Sequence, residues 1–305
     1  RNEKTPAMVE IESVNGGSPD AIADRPDFET ATAVFPTEPL VLAGDQEPAD
    51  PTARVIDLVA PLGKGQRALV AAPPRTGATT LLRHVMRAVE VNHPDVELLV
   101  LLLDQRPEEI TETQRWVEQG EVVAAGFDQP ADEQVTIAEM VVERAKRIAE
   151  AGRDVVVIVD GVTRLARAYA QEAAGNRSPV QVDSTTVHPA KRFLGGARAL
   201  EDGGSVTMLA TIAVDTDSEI DARIYEELAG TANCEIRLSR AAAVRRLFPA
   251  LDLTRSATIH DERLRTEAGI EAVTTLRREL ADAGDAAGVE PATDLRELLS
   301  RLADG

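Results

Sequence analysis

Between Ala68 and Val89 the chain moves from strand character to helix character across a short loop. An apolar run, Ala68-Leu69-Val70-Ala71, leads into Ala72-Pro73-Pro74-Arg75-Thr76-Gly77-Ala78-Thr79-Thr80. Helical spacing of Leu81, Leu82, Val85, Met86 and Val89 leaves it. A buried strand, a tight loop and a helix, in that order, aim the unpaired N–H groups of the helix N-terminus at one point, and phosphate binds there. Set against G-x-x-x-x-G-K-[ST], Ala72 takes the first glycine position and Gly77 the second. Ala78 takes the lysine position and Thr79 that of the metal-binding hydroxyl. The stretch is predicted to be a phosphate loop without its main positive charge.

From Thr52 onward, apolar runs alternate with helical patterns. The runs predict strands at Arg54–Leu58, Gln66–Ala72, Glu97–Leu103, Glu121–Phe127, Asp154–Asp160, Ser205–Val214 and Cys234–Leu238. The segments between them predict helices at Thr79–Val91, Thr111–Glu118, Asp132–Ala151, Thr163–Glu172 and Ser218–Leu228. Continuously apolar strands separated by helices imply an α/β fold, with a mostly parallel twisted sheet covered by helices on both faces. Residues 1–51 are rich in Pro, Gly, Asp, Glu and Thr and lack periodicity. They read as a disordered or extended lead, with one short strand near Leu40-Val41-Leu42. The main domain is expected over 52–265. A helical segment over 266–305 is expected to hold two helices, Ala268–Leu280 and Thr293–Leu302, split by Ala283-Gly284-Asp285-Ala286-Ala287-Gly288.

Composition narrows the functional classes. The 305 residues carry a net charge of −19, and Lys4, Lys64, Lys146 and Lys191 are the only lysines. An acidic, lysine-poor and aromatic-poor chain fits a high-salt cytoplasm, where screening relieves self-repulsion; an ordinary acidic protein of a GC-rich genome reads the same way. A broad basic face is missing, so any contact with nucleic acid is expected to be local. One cysteine, Cys234, excludes a disulfide framework and a cysteine-rich zinc site. His84, His93, His188 and His260 lack metal-ligand spacing and read as surface or loop residues. No apolar run approaches membrane-spanning length, and a cytoplasmic protein is expected. The chain opens on Arg1 rather than methionine, as a piece of something longer would.

Two further strands end in polar residues. Val155-Val156-Val157-Ile158-Val159 ends in Asp160, placed where a phosphate-loop ATPase holds magnesium; a helix N-cap is the plainer use of the same residue. Leu101-Leu102-Leu103 ends in Asp104-Gln105-Arg106, near where such enzymes carry a carboxylate that polarises the attacking water. Gln105 can orient water but cannot take its proton.

Over Thr52 to about Leu264 the chain resembles the ATPase domain of the bacterial transcription termination factor Rho family. The resemblance rests on ordered stretches: Thr52-Ala53-Arg54-Val55-Ile56-Asp57-Leu58, Arg106-Pro107-Glu108-Glu109 and Thr163-Arg164-Leu165-Ala166-Arg167-Ala168-Tyr169. Lys191-Arg192-Phe193, Ile224-Tyr225-Glu226-Glu227, Leu238-Ser239-Arg240 and Phe248-Pro249-Ala250 extend it. It implies a RecA-like P-loop NTPase fold and a hexameric ring that uses ATP and Mg2+ to pull RNA and end transcription. Carried onto this sequence, Pro74, Arg75, Thr76, Gly77, Thr79 and Thr80 form the phosphate loop, with Ala78 in place of its lysine. Thr79 and Asp160 would hold Mg2+, Phe248 would stack on adenine and Arg246 would approach a neighbouring subunit's site. Arg106 is retained, whereas Gln105 replaces the catalytic glutamate. Ile259 follows Arg255-Ser256-Ala257-Thr258 where the arginine finger belongs. The RNA-gripping pore is altered too, with Glu219 at a lysine position and Arg177 and Lys191 as its basic candidates. Residues 1–51 lack the stacking aromatics of that family's oligonucleotide-binding barrel.

These departures point to a Rho-like protein of transcription termination or RNA metabolism that binds nucleotide weakly and hydrolyses it poorly or not at all. Two other readings stay open: an active ATP-dependent RNA translocase with substituted catalytic groups, and a non-catalytic interaction scaffold.

Overall fold

The computed structural model describes residues 10–13, 18–19, 25–44, 50–174 and 184–287. Arg177 and the expected helix over 293–302 lie outside the described residues.

Asp50 begins the main body. Its side chain accepts a hydrogen bond from the Thr52 amide at 2.8 Å, and Pro51 occupies the first helical position, so the chain turns into helix α1, Pro51–Val59. This corrects the expected strand at Arg54–Leu58. Its β-branched residues suggested a strand, but the buried set Thr52, Ala53, Val55, Ile56 and Val59 is a helical stripe.

The strands that follow are β2 (Arg67–Ala72), β3 (Glu97–Gln105), β4 (Glu121–Gly126), β5 (Val155–Asp160), β6 (Arg198–Leu200), β7 (Ser205–Ala213), β8 (Cys234–Arg237) and β9 (Ala257–Thr258), after a two-residue β1 at Ala33–Val34. They form one sheet of order β4-β3-β5-β7-β2-β8-β9, with β6 joining β7 and β1 joining β6. Pairing among β2, β3, β4, β5, β7 and β8 is parallel. The antiparallel additions β1, β6 and β9 are too short to leave a periodic trace in the sequence. The helices are α2 (Ala78–Asn92), α3 (Pro107–Trp116), α4 (Ala131–Glu150), α5 (Val162–Ala174), α6 (Ser184–Leu194), α7 (Glu219–Ala229), α8 (Arg240–Val244) and α9 (Glu267–Ala287). Helix α9 continues through Ala283 to Ala287, where a break was expected. Among the described residues, no helix is long and apolar enough to cross a membrane.

Alternate residues of each central strand feed two separate cores. Leu99, Leu101, Leu103, Val155, Val157 and Val159 pack with α4 and α5 on one face. Leu98, Val100, Leu102, Val156 and Ile158 share the other face with buried residues of α1 and α2.

Residues 25–44 differ from the loose lead expected. Phe28 is fully buried in the first core, with the Arg198 guanidinium 4.6 Å from its ring centroid. Glu150 fixes this end: it accepts from Arg25 Nε at 2.6 Å and from the Phe28 amide at 2.8 Å. Leu40 and Leu42 are buried in the second core. The expected strand at Leu40–Leu42 is absent, although Pro39 bridges Gly63 just before it. The lead is instead held by side chains. Asp57 accepts from the amides of Leu42 and Ala43, and Asn92 donates to the Leu42 carbonyl at 2.7 Å.

Burial pushes the Asp57 carboxyl up to about 6, against the pull of those two amides and of Arg265. A carboxyl raised on folding contributes stability below its unfolded value, and that contribution is lost as pH rises through the folded value. Asp57→Asn removes the titration. Urea unfolding from pH 4 to 7 should therefore shift the stability difference in the variant's favour by on the order of 2 kcal/mol. Phe28→Ala should cost about 3–5 kcal/mol in the same measurement, the range for deleting a fully buried ring. A value near zero would show that the lead only rests on the surface.

Candidate nucleotide site

Strands β2, β3, β5 and β7 end on the same edge of the sheet, and their last residues surround one cavity of about 660 Å³. The crevice outside the carboxyl ends of parallel strands is where α/β folds bind ligands. The predicted phosphate loop, Ala72 to Thr80, forms one wall. Thr76 is buried and donates to the Pro73 carbonyl at 2.7 Å, which closes the loop on itself. Arg75 (φ 65°) and Gly77 (φ 91°) both lie in the left-handed region, and only at Gly77 is that conformation free of strain. Helix α2 starts at the next residue, so its first-turn N–H groups have no intrahelical partners and can meet an anion. Ala78 stands at the first helical position. Backbone donors are present there, but the lysine cation is not.

Asp160 ends β5 and is buried. Thr79 Oγ1 donates to one carboxylate oxygen at 3.2 Å and Thr211 Oγ1 to the other at 2.8 Å. A hydroxyl beside a carboxylate is a hard-oxygen pair of the kind magnesium takes. Among the described residues no cluster of three or more His, Cys, Asp or Glu could hold a metal. Thr79 and Asp160 would therefore supply the protein ligands, with water and phosphate oxygens completing the shell. The donor set fits Mg2+ accompanied by a nucleotide.

Gln105 is set by a bulge. The register of β3 against β4 shifts between Leu103 and Gln105, and Asp104 takes φ 52°. The extra residue turns Asp104 outward and buries Gln105. Its amide nitrogen donates to the Asp160 carbonyl at 3.2 Å, a bond that an ionised glutamate could not make. Arg106 is exposed at the N-cap of α3, with Glu108 and Glu109 in the first turn, where they complement the helix dipole.

Several cavity groups were not singled out as site residues in the sequence. Thr211 is one, and its place on β7, beside β5, explains its contact with Asp160. Gln134 of α4 is another. Arg164 and Arg167, three residues apart on α5, also line the cavity. Arg164 donates to the Leu103 carbonyl at 3.0 Å, and Arg167 grips the buried Asp221 carboxylate at 2.5 and 3.0 Å. Both partners belong to the same chain.

The remaining predicted residues are more scattered. The Phe248 ring is 38% exposed and stands over Gly77, where an added Cβ would lie 3.5 Å from it. Arg246 is exposed at φ 59° in the same loop. Ile259 is 57% exposed and Glu219 opens α7; neither lines the cavity. Lys191 is ion-paired with Glu227.

A family model for the nucleotide-binding domain of the ATP synthase alpha/beta family matches residues 52–258. Over 287 residues the chain is 45% identical to transcription termination factor Rho of Chromobacterium violaceum, covering 93% of this chain and 68% of that one. The chain belongs to the Rho family. It is also 48% identical over 264 residues to the Streptomyces lividans Rho and 44% identical over 304 residues to that of Micrococcus luteus. It spans 37% and 43% of those two relatives' lengths. Among solved structures, an ATPase of the type III secretion system of pathogenic bacteria superimposes with a TM-score of 0.71 at 22% identity, covering 92% of this chain and 83% of that one. That likeness supports the RecA-like P-loop fold alone.

The Gln105 geometry yields a direct expectation. Gln105→Glu places a buried carboxylate against a carbonyl oxygen and should lower stability at pH 7 by about 1–3 kcal/mol. The introduced carboxyl has a raised pKa, so the deficit should shrink on acidification, when it can donate as the amide does. Urea titrations at pH 5 and pH 7 would show this, and a pH-independent deficit would contradict it.

Proposed function

We propose that this Rho-family chain binds ATP weakly and hydrolyses it poorly or not at all while serving transcription termination or RNA metabolism. The observation that carries the reading is the pairing of Ala78 with Gln105. The phosphate loop keeps its backbone donors, Thr79 and Asp160, but no lysine lines the cavity among the described residues. The residue placed to activate water is an amide tied to the Asp160 carbonyl. Charge-stabilising groups and arginine fingers each carry a factor on the order of a thousand in rate. Loss of the lysine, the catalytic carboxylate and, at Ile259, the finger leaves binding as the residual capacity. Mg2+ would be held through Thr79 and Asp160, and the base would lie on Phe248.

The rest of the reading follows the family. The 52–265 region is the nucleotide unit, followed by the 266–305 segment, in a cytoplasmic homo-oligomer for which the Rho resemblance supports a hexameric ring. RNA and the transcription machinery are its partners. Glu219 opposes a phosphate backbone, so RNA is gripped weakly through Lys191 and Arg177. The acidic, lysine-poor composition supports a high-salt working solvent, and molar KCl is the test medium.

A second reading, an active translocase, draws on Arg75, Arg164 and Arg167, which keep guanidinium charge around the cavity. Phosphate release measured in molar KCl with Mg2+ and RNA separates the two. The pseudo-ATPase should stay at background while a non-hydrolysable ATP analogue still binds. RNA-stimulated turnover that Arg75→Ala abolishes would establish the translocase instead. Absence of analogue binding at millimolar concentration would leave a scaffold role.

A further inference from the structure

A second ring adjoins Phe248. His84, on α2 just beyond the phosphate loop, has its ring centroid 5.3 Å from that of Phe248 at an interplanar angle of 42°. Its Nδ1 lies 2.5 Å from Asp50 Oδ2. An ionised carboxylate only accepts hydrogen bonds, so Nδ1 is the donor. Burial alone would raise the Asp50 carboxyl, but the His84 and Thr52 hydrogen bonds outweigh it and hold it below the usual carboxylate range. Asp50 is held at a second point, because its other oxygen caps α1 by accepting from the Thr52 amide at 2.8 Å. Three elements therefore meet at one aromatic edge: the cap of α1, the second turn of α2 and the loop after α8.

We propose that His84, fixed by Asp50, positions Phe248 as the platform for a nucleotide base, the two rings forming a shelf beside the phosphate loop. The inference rests on the reading that nucleotide occupies the loop with its base on Phe248. Phe248 lies beside the loop at Gly77, where an added Cβ would be in ordinary van der Waals contact with the ring at 3.5 Å. His84 supports it on another side. More than a third of the Phe248 residue stays open to solvent, enough to receive a flat apolar ligand. A ring already held in place loses less freedom on binding than one that must be ordered by the ligand. In a site that lacks its phosphate-gripping lysine, the base end of the ligand carries a larger share of affinity. His84 acts through Phe248 and is a positioning residue.

The test compares two probes by calorimetry in molar KCl with Mg2+: a non-hydrolysable ATP analogue, which has a base, and tripolyphosphate, which does not. His84→Ala and Asp50→Asn should each weaken the analogue roughly three- to tenfold, the size of one aromatic pairing, and leave tripolyphosphate unchanged. Asparagine keeps the helix cap, so Asp50→Asn isolates the contact to His84. His84→Phe, which keeps a ring in place, should restore part of the loss caused by His84→Ala. The proposal is overturned if His84→Ala binds the analogue as the wild type does, or if it weakens both probes equally. Wild-type protein that binds neither probe would overturn the nucleotide reading itself, and this inference with it.

Discussion

Asp160 lies at the inner end of β5 after five buried apolar residues, and a carboxylate in that position has to be satisfied by partners the fold brings to it. An unpaired buried charge costs several kcal/mol, so its neighbours are not free to vary independently. Thr79 reaches it from the phosphate loop and Thr211 from β7. These two bonds tie the carboxyl ends of β5 and β7 to the first turn of α2. They also keep the loop, the Asp160 carboxylate and the far wall of the cavity in register. The backbone carbonyl of the same residue takes the Gln105 amide, which adds β3 to the group.

Seen from that carboxylate, the two central substitutions have different physical consequences. Ala78 places no cation on the first turn of α2, close to the negative charge of Asp160. Gln105 improves the resting structure, since its amide satisfies a buried carbonyl that a carboxylate would repel. A catalytic base held there would be strained until substrate arrived. Strained groups at active positions trade stability for activity, and an amide at Gln105 lies on the stability side of that trade. The guanidinium groups of Arg164 and Arg167 are likewise committed to neighbours of the same chain, a backbone carbonyl and the Asp221 carboxylate.

The parallel sheet was legible because its strands are buried on both faces and so appear as unbroken apolar runs, as in Leu98–Leu103 and Val155–Val159. Helix α1 was misread because Val55 and Ile56 favour strands in isolation, whereas the Asp50 cap and Pro51 settle the local conformation. The phosphate loop and Asp160 stood out because their spacing is local. Thr211 did not, since its link to Asp160 spans 51 residues of sequence and exists only through the pairing of β5 with β7. The bulge at Asp104 was hidden for a related reason. Periodicity fixes which face a residue takes, but a single inserted residue reverses it. His84 looked like a surface histidine because both of its partners, Asp50 and Phe248, are distant in the chain.

The path of residues 25–44 has a mechanical consequence. Phe28 is embedded in one core layer and Leu40 and Leu42 in the other, so the segment crosses the rim of the sheet as a belt anchored on both sides. Tension applied at residue 25 meets the Arg25–Glu150 ion pair first and then a buried ring, and it loads side-chain packing in shear rather than straightening slack chain. A load at residue 25 would pass into the side-chain packing on both faces of the sheet.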